Sequence, residues 1–265
     1  MKRQWYYFKA VLKLNLRKNK YLTTMTTLLS SLRSLLQSNA DPEVRKSSGR
    51  FFKKGEEAML YGVPTKLAIQ IAKDFSKEVK LMPKREIFEI CDELWRSGYF
   101  EEAIIACKLA ESLEKQYEPA DFKIFEHWVN NYLTNWADCD TLCNHTIGNF
   151  IMMYPDYIGE LKRWATSENR WTKRASAVTL IIPARRGLFL KEVFEIADIL
   201  LLDKDDLVQK GYGWMLKAAS ESNLDNRNKV FEYVISKRAV MPRTALRYAI
   251  EKMPKEMKVE AMKKV

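Results

Sequence analysis

Trp136-Ala137-Asp138-Cys139-Asp140 places an indole and two carboxylates within five residues. On a helix Trp136 and Asp140 share a face, because side chains four apart lie one turn above each other. A carboxylate beside an aromatic face favours positive charge. The carboxylate acts by electrostatics, and the ring adds a cation–π attraction of roughly 0.5–2 kcal/mol. The plainer reading of Asp138 and Asp140 is helix-start chemistry, in which carboxylates satisfy free N–H groups and complement the helix dipole. Cys139 and Cys143, with His127 and His145 nearby in sequence, have ligand types that could hold zinc. Cysteines four apart on a helix are more ordinarily small core residues, and that is the expectation here.

Two further stretches stand out. Val208-Gln209-Lys210-Gly211-Tyr212-Gly213-Trp214 sets two glycines inside a helical run. Each costs about 1 kcal/mol against alanine there, so a close backbone approach or tight packing is expected. The stretch is no phosphate-binding glycine loop, since no strand precedes it. Residues 162–191 hold eight Lys+Arg, including Lys173, Arg174, Arg185 and Arg186, against one acid, Glu168, a local balance of +7. A basic strip interleaved with aromatics suits phosphate-backbone contact, and its bland alternative is a solvated helix face.

The elements that carry these residues read as helices. From Pro83 the apolar residues Ile87, Ile90, Cys91, Leu94 and Trp95 follow the stripe of an amphipathic helix, and Gly98 suits the left-handed position after its end. Ala103, Ile104, Cys107 and Ala110 continue at once. Pro64 opens a run through Leu67, Ile71 and Phe75. Ala120-Asp121 opens another through Ile124 and Trp128, and Tyr154-Pro155 breaks the next. One stripe joins Ala175, Val178, Ile181 and Ile182 before Gly187, and Asp205-Asp206 opens a helix through Leu216. The pattern predicts about fourteen helices of ~10–18 residues with short joints. A pair plus its joints spans about 35–45 residues, the size of a HEAT or armadillo unit. The predicted fold is therefore all-α, a HEAT-like or armadillo-like superhelical array of antiparallel helix pairs with a concave face. Most tryptophans are expected in the core between helices.

Composition agrees. The 265 residues are 47% hydrophobic and 30% charged, which excludes disorder for most of the chain, and 9 Gly with 8 Pro are few for an all-β fold. The formal charge of +11 is not spread evenly. Residues 1–54 hold 13 Lys+Arg and 2 Asp+Glu, so the remainder balances to zero. Residues 1–20 are read as a basic N-terminal extension and 21–265 as a single helical-repeat domain. Lys9, Lys13 and Arg17 interrupt the run that a secretory signal requires. No 18-residue apolar run offers a membrane span, and four cysteines are too few for a disulfide scaffold.

Together, Trp136-Ala137-Asp138-Cys139-Asp140, Ser167-Glu168-Asn169-Arg170-Trp171-Thr172-Lys173-Arg174-Ala175 and Val208–Lys217 resemble the AlkD-type family of DNA alkylation repair glycosylases in motif and spacing, over roughly residues 22–255. The resemblance implies a HEAT-like solenoid that hydrolyses the N-glycosidic bond of cationic alkylated purines, such as 3-methyladenine or 7-methylguanine, in duplex DNA and so initiates base excision repair. It maps the catalytic aspartate to Asp140, the aromatic walls to Trp136 and Trp214, and a DNA-contacting arginine to Arg174. Lys173, Arg185, Arg186, Lys210 and Lys217 are the further candidate phosphate contacts. Arg50-Phe51-Phe52-Lys53 resembles an early Arg-Tyr motif, with Phe51 where tyrosine is familiar, and Lys217 stands where arginine is common. A cationic base leaves without protonation, so no metal, nucleotide or redox cofactor is expected. The expected partner is double-stranded DNA with alkylated bases and no membrane, for a monomeric protein in the cytoplasm at the nucleoid. The rival is a non-catalytic helical-repeat module that binds DNA structure or a protein. Convergence of Trp136, Asp140, Arg174 and Trp214 on one groove discriminates the two.

Overall fold

The computed structural model describes residues 23, 25–52, 56 and 58–263. The basic extension 1–20 and Lys53 of the Arg-Phe-Phe-Lys stretch lie outside the described residues. Within them the chain is all-α, with one isolated bridge between Met59 and Tyr99 and no strand.

Helix α1 covers residues 25–38 and α2 Pro42–Gly49, the latter capped by the Asp41 side chain, which accepts from the Glu43 N–H. Helices α3 (Thr65–Val79), α4 (Lys84–Arg96) and α5 (Phe100–Ser112) follow. Pro83 precedes α4, and Gly98 at φ 71° turns the chain into α5, both as the sequence predicts. Helix α5 is buried on every side through its middle turns, including Ile104, Ile105 and Cys107. After α6 (Phe122–Asn131) comes the segment that carries Trp136 and Asp140. It consists of α7 (Trp136–Thr141), a π-helical turn (Leu142–Ile147) and α8 (Gly148–Met153). Helices α9 (Ile158–Ala165), α10 (Arg170–Val178), α11 (Ile181–Arg185), α12 (Leu190–Leu200), α13 (Asp206–Ser222), α14 (Leu224–Lys237), α15 (Arg243–Ala249) and α16 (Lys255–Met262) complete the array.

Several helices are shorter than the periodicity predicts, and the breaks have local causes. The stripe from Ala175 to Ile182 divides into α10 and α11 because Pro183 has no N–H to give to the Thr179 carbonyl. The run beginning at Trp136 changes register at the π turn.

Side-chain bonds between neighbouring units show the repeat. Lys84 Nζ donates to Asp121 (3.0 Å), Trp164 Nε1 to Glu126 (2.8 Å), Arg170 to Asp205 and Tyr233 Oη to Asp198 (3.0 Å), each 35 to 38 residues away. That spacing falls in the lower part of the range read from the sequence. The core is one continuous cluster from Leu29 to Ala261. Trp95, Trp128, Trp164 and Trp171 are buried in it, with Trp128 edge-on to Phe88 at 5.8 Å. Trp136 and Trp214 are only half-buried, and they are the two predicted to line a site.

The glycine pair in α13 is explained by packing. A Cβ at Gly213 would lie 2.7 Å from the Ala245 carbonyl oxygen and 2.7 Å from Tyr248 Cβ, so α15 docks directly on the α13 backbone. Gly213→Ala is expected to lose about 1–3 kcal/mol of stability, despite alanine's better helix propensity. Urea unfolding would show the loss as a lowered midpoint at an unchanged slope.

Candidate active site

Helix α7 begins with a side-chain exchange. Asn135 accepts the Asp138 N–H at 2.9 Å, and its Nδ2 donates to Asp138 Oδ2 at 2.6 Å. This fixes the first turn and makes Asp138 a helix-start residue, as the plainer sequence reading has it. Burial pushes the Asp138 carboxyl up to about 7, against the Asn135 hydrogen bond, and nearby Glu101 adds to the rise. Its other oxygen, Oδ1, has no hydrogen-bond partner among the described residues.

One turn along, Asp140 faces Arg174 of α10. Arg174 Nε lies 2.9 Å from Oδ1 and Nη2 2.7 Å from Oδ2, a bidentate pair. The remaining guanidinium nitrogen, Nη1, donates to the Leu207 carbonyl at the start of α13. Arg174 is 4% exposed and Asp140 9%. Burial raises the Asp140 carboxyl above its ordinary value while Arg174 pulls it down. Protonating Asp140 would strand a buried guanidinium without its counter-charge, so the carboxylate is the form at neutral pH. Arg174 crosses α13 where Gly211 has no side chain; a Cβ there would lie 3.3 Å from Arg174 Cγ.

The half-buried Trp136 and Trp214 join Asp140 and Arg174 around one cleft of about 380 Å³, together with Lys210, Lys217, Phe51, Leu207 and Tyr248. Trp136 Nε1 donates to the Phe51 carbonyl at 3.4 Å, and the Phe52 ring lies between Trp136 (6.5 Å) and Phe100 (5.9 Å). Phe51 itself is 69% exposed. Lys210 pairs with Asp206 at 2.6 Å, and Lys217 bonds Glu251 at 2.9 Å with its ammonium 5.6 Å from the Tyr248 ring centroid.

The basic strip behaves differently from a free cationic face. Lys162 pairs with Glu195 (2.5 Å), Arg163 with Glu126 and Glu160, and Arg170 with Asp205 (2.9 Å). Lys173 pairs with Asp203 (2.5 Å) and Arg185 with Glu221 (3.6 Å). Lys173 lines a separate shallow cleft beside Asp203, while Arg185 and Arg186 lie off the Asp140 cleft, Arg186 exposed against Met152. Arg174 is spent on Asp140 and Leu207. Cys139 and Cys143 are buried core residues, and among the described residues no group of three or more metal-ligating side chains forms.

Two features escaped the sequence reading. Tyr248 lines the cleft, and its signal is positional: it follows Trp214 by the repeat spacing, as Arg174 follows Asp140. Glu101 and Glu102 are buried at the start of α5. Glu101 accepts the backbone N–H groups of Tyr61 (3.1 Å), Gly62 (2.8 Å) and Val63 (3.0 Å). Glu102 accepts two bonds from Arg33 and the Tyr61 hydroxyl (2.7 Å). Two adjacent acids opening an apolar helix were the available clue.

The family model described as DNA alkylation repair enzyme matches residues 32–253. The chain belongs to this family. The match covers most of the span over which the three motifs resemble it. Among solved structures, the predicted DNA alkylation repair enzyme from Enterococcus faecalis superposes with a TM-score of 0.71 at 17% identity, over 82% of this chain and 98% of that one. That likeness establishes the AlkD-like HEAT fold. No curated protein matches the sequence. No helix among the described residues is long and apolar enough to cross a membrane.

The Asp138 environment has a measurable consequence. Its folded-state value lies above that of the unfolded chain, so the native state holds this proton to higher pH. The stability it contributes is complete below the ordinary carboxylate range and is lost as pH rises through about 7. At ~1.4 kcal/mol per unit, wild-type stability is expected to fall by up to a few kcal/mol from pH 4 to pH 8 through this group. Asp138→Asn keeps the partner for Asn135 and removes the proton. Urea melts across that range should show the slope flattened in the variant, whereas parallel curves would exclude Asp138 as its source.

Proposed function

We propose that the protein is a DNA glycosylase that hydrolyses the N-glycosidic bond of cationic alkylated purines, 3-methyladenine and 7-methylguanine, in duplex DNA. The observation that carries this reading is the convergence of Asp140, Trp136 and Trp214 on one cleft, with the carboxylate oriented by Arg174. Membership of a DNA alkylation repair family supports it.

The chemistry asks little of the protein. A methylated purine already carries the positive charge that a general acid would otherwise supply. As the C1′–N bond breaks, its electron pair neutralises the purine and positive charge builds on the sugar. Asp140 stabilises that charge and accepts the proton of the water that bonds to C1′. Trp136 and Trp214 offer aromatic faces to the cation. Lys210 and Lys217 stand at the cleft for the DNA backbone. Arg174 acts through Asp140: it fixes both oxygens and keeps them ionised. The cleft is open and partly floored by Phe51 and Tyr248, which suits a protein that grips the backbone and does not enclose a base.

Release of free methylated base from alkylated duplex tests the reading. Asp140→Asn should lower it by about 10²–10³, the scale of losing one preorganised electrostatic group, while duplex binding persists. Equal release by both proteins would sink the mechanism. Because the ionised carboxylate is the working form, base release should fall as pH drops. Since burial raises Asp140, that fall should begin above the ordinary carboxylate range. A rate that is flat down to that range would remove Asp140 as the working base.

A further inference from the structure

Asp140 forms the wall between two clefts. One is the cleft of Trp136 and Trp214. The other, about 260 Å³, opens on the α5 side of the same carboxylate. Phe100 and Ile104 give it a hydrocarbon floor, and Lys108, Asn144, His145 and the Thr65 hydroxyl edge it with hydrogen-bonding groups. Asn144 and His145 are brought there by the π-helical turn that follows α7 directly, a local form often found at functional sites. Asn144 is nine-tenths buried, and among the described residues its Oδ1 has no hydrogen-bond partner. That oxygen only accepts, and neither a phosphodiester nor a deoxyribose within a strand has a hydrogen to give it, so an incoming sugar-phosphate would be held by the cationic and hydroxyl groups of the cleft and not by this amide oxygen.

The electrostatics suit an anion. Lys108 sits 2.7 Å from Glu111 on its own helix, both partly exposed, and such a pair is worth only ~0–1 kcal/mol, so its ammonium can be shared. His145 is exposed. The negative charge of Asp140 is offset by Arg174 on the far side of the wall. In DNA the phosphates flanking a nucleoside lie one sugar's width from its anomeric carbon. A nucleotide with that carbon over Asp140 and its base toward Trp136 and Trp214 therefore directs a neighbouring sugar-phosphate into the second cleft.

We infer that this cleft is the subsite for the sugar-phosphate adjacent to the lesion, with Lys108 and His145 holding the phosphate and Phe100 and Ile104 facing the deoxyribose. Its placement beside the lesion rests on the glycosylase reading of Asp140. The cations proposed above lie on the α13 side, so the subsite extends the DNA footprint across the catalytic carboxylate.

Duplex binding by the full chain, measured against salt, tests this. Lys108→Ala with His145→Ala should lower the slope of log affinity against log salt by about 0.9 per lost phosphate contact, and Lys108→Arg should keep the wild-type slope. Duplexes carrying one neutral methylphosphonate locate the contact. At the phosphate beside the methylated base it should weaken wild-type binding roughly tenfold at 0.1 M salt and leave the double variant unaffected. An unchanged slope, or equal weakening of both proteins by the flanking methylphosphonate, overturns the subsite. Asp140→Asn is assayed for base release alongside: full release by that variant would defeat the glycosylase reading, while the salt slope still judges the cleft by binding alone.

Discussion

The pair between Asp140 and Arg174 is the interaction on which the arrangement of the candidate site depends. Two charges this deeply buried gain little net stability from each other, because the desolvation of each offsets the attraction. Removing one partner is another matter: an uncompensated buried charge costs about 3–5 kcal/mol. The pair is thus a constraint more than a source of stability. It requires α7, α10 and the start of α13 to meet at one point, since the guanidinium spends two nitrogens on Asp140 and the third on the Leu207 carbonyl. Gly211 leaves room for it: a Cβ there would lie 3.3 Å from Arg174 Cγ, so the arginine stem would have to shift by a few tenths of an ångström. The helix-propensity penalty of that glycine, about 1 kcal/mol, is the local cost of a correctly aimed carboxylate.

The same logic recurs at lower stakes along the array. Ion pairs and hydrogen bonds join residues about one repeat apart, from Lys84–Asp121 through Arg174–Asp140 to Lys217–Glu251. Exposed members of this series contribute little each, ~0–1 kcal/mol. Their common spacing instead sets the register in which one helix pair stacks on the next. Apolar stripes alone tolerate sliding, whereas a charge needs its partner at one position. Glu101 and Glu102 do the corresponding work before the first repeats. They gather three backbone N–H groups, a tyrosine hydroxyl and Arg33, and so hold residues 61–63 and α1 against α5.

The sequence made the helical array legible because its stripes are long and bounded by Pro64, Pro83, Gly98 and Asp205, each of which acts locally. Spacing puts Trp136 and Asp140 on one helical face, and the glycines beside Trp214 signalled a close approach, but only the family resemblance singled out Asp140, Trp136 and Trp214 as a site. The pairing of the basic strip at 162–191 was not legible, because counting charge along a chain ignores acids supplied from one repeat away. Glu126, Glu195, Asp203, Asp205 and Glu221 neutralise most of it. The resemblance named Arg174 as a DNA contact, but its burial against Asp140 was not legible, since nothing local distinguishes an arginine that meets a phosphate from one that meets an aspartate. The π turn and the loss of register at Pro183 depend on packing against other helices, which periodicity does not report.

These features give the charge of the protein a different meaning at each scale. The formal +11 resides in residues 1–54 and describes general affinity for polyanions. The local +7 at 162–191 is mostly matched by acids of neighbouring repeats, in pairs that are largely partly exposed. What lines the cleft is a small set of polar groups beside the two half-buried indoles: Asp140 with Arg174 paired to it, Glu56, and Lys210 and Lys217, themselves partnered by Asp206 and Glu251. On the glycosylase reading, such a site would not attract DNA by raw positive charge. A duplex would approach on cations that can be shared and meet, where positive charge develops, a carboxylate held in place by Arg174. The pairing of Asp140 with Arg174 is what would make the two demands compatible, since an unpaired carboxylate would repel phosphates passing beside it.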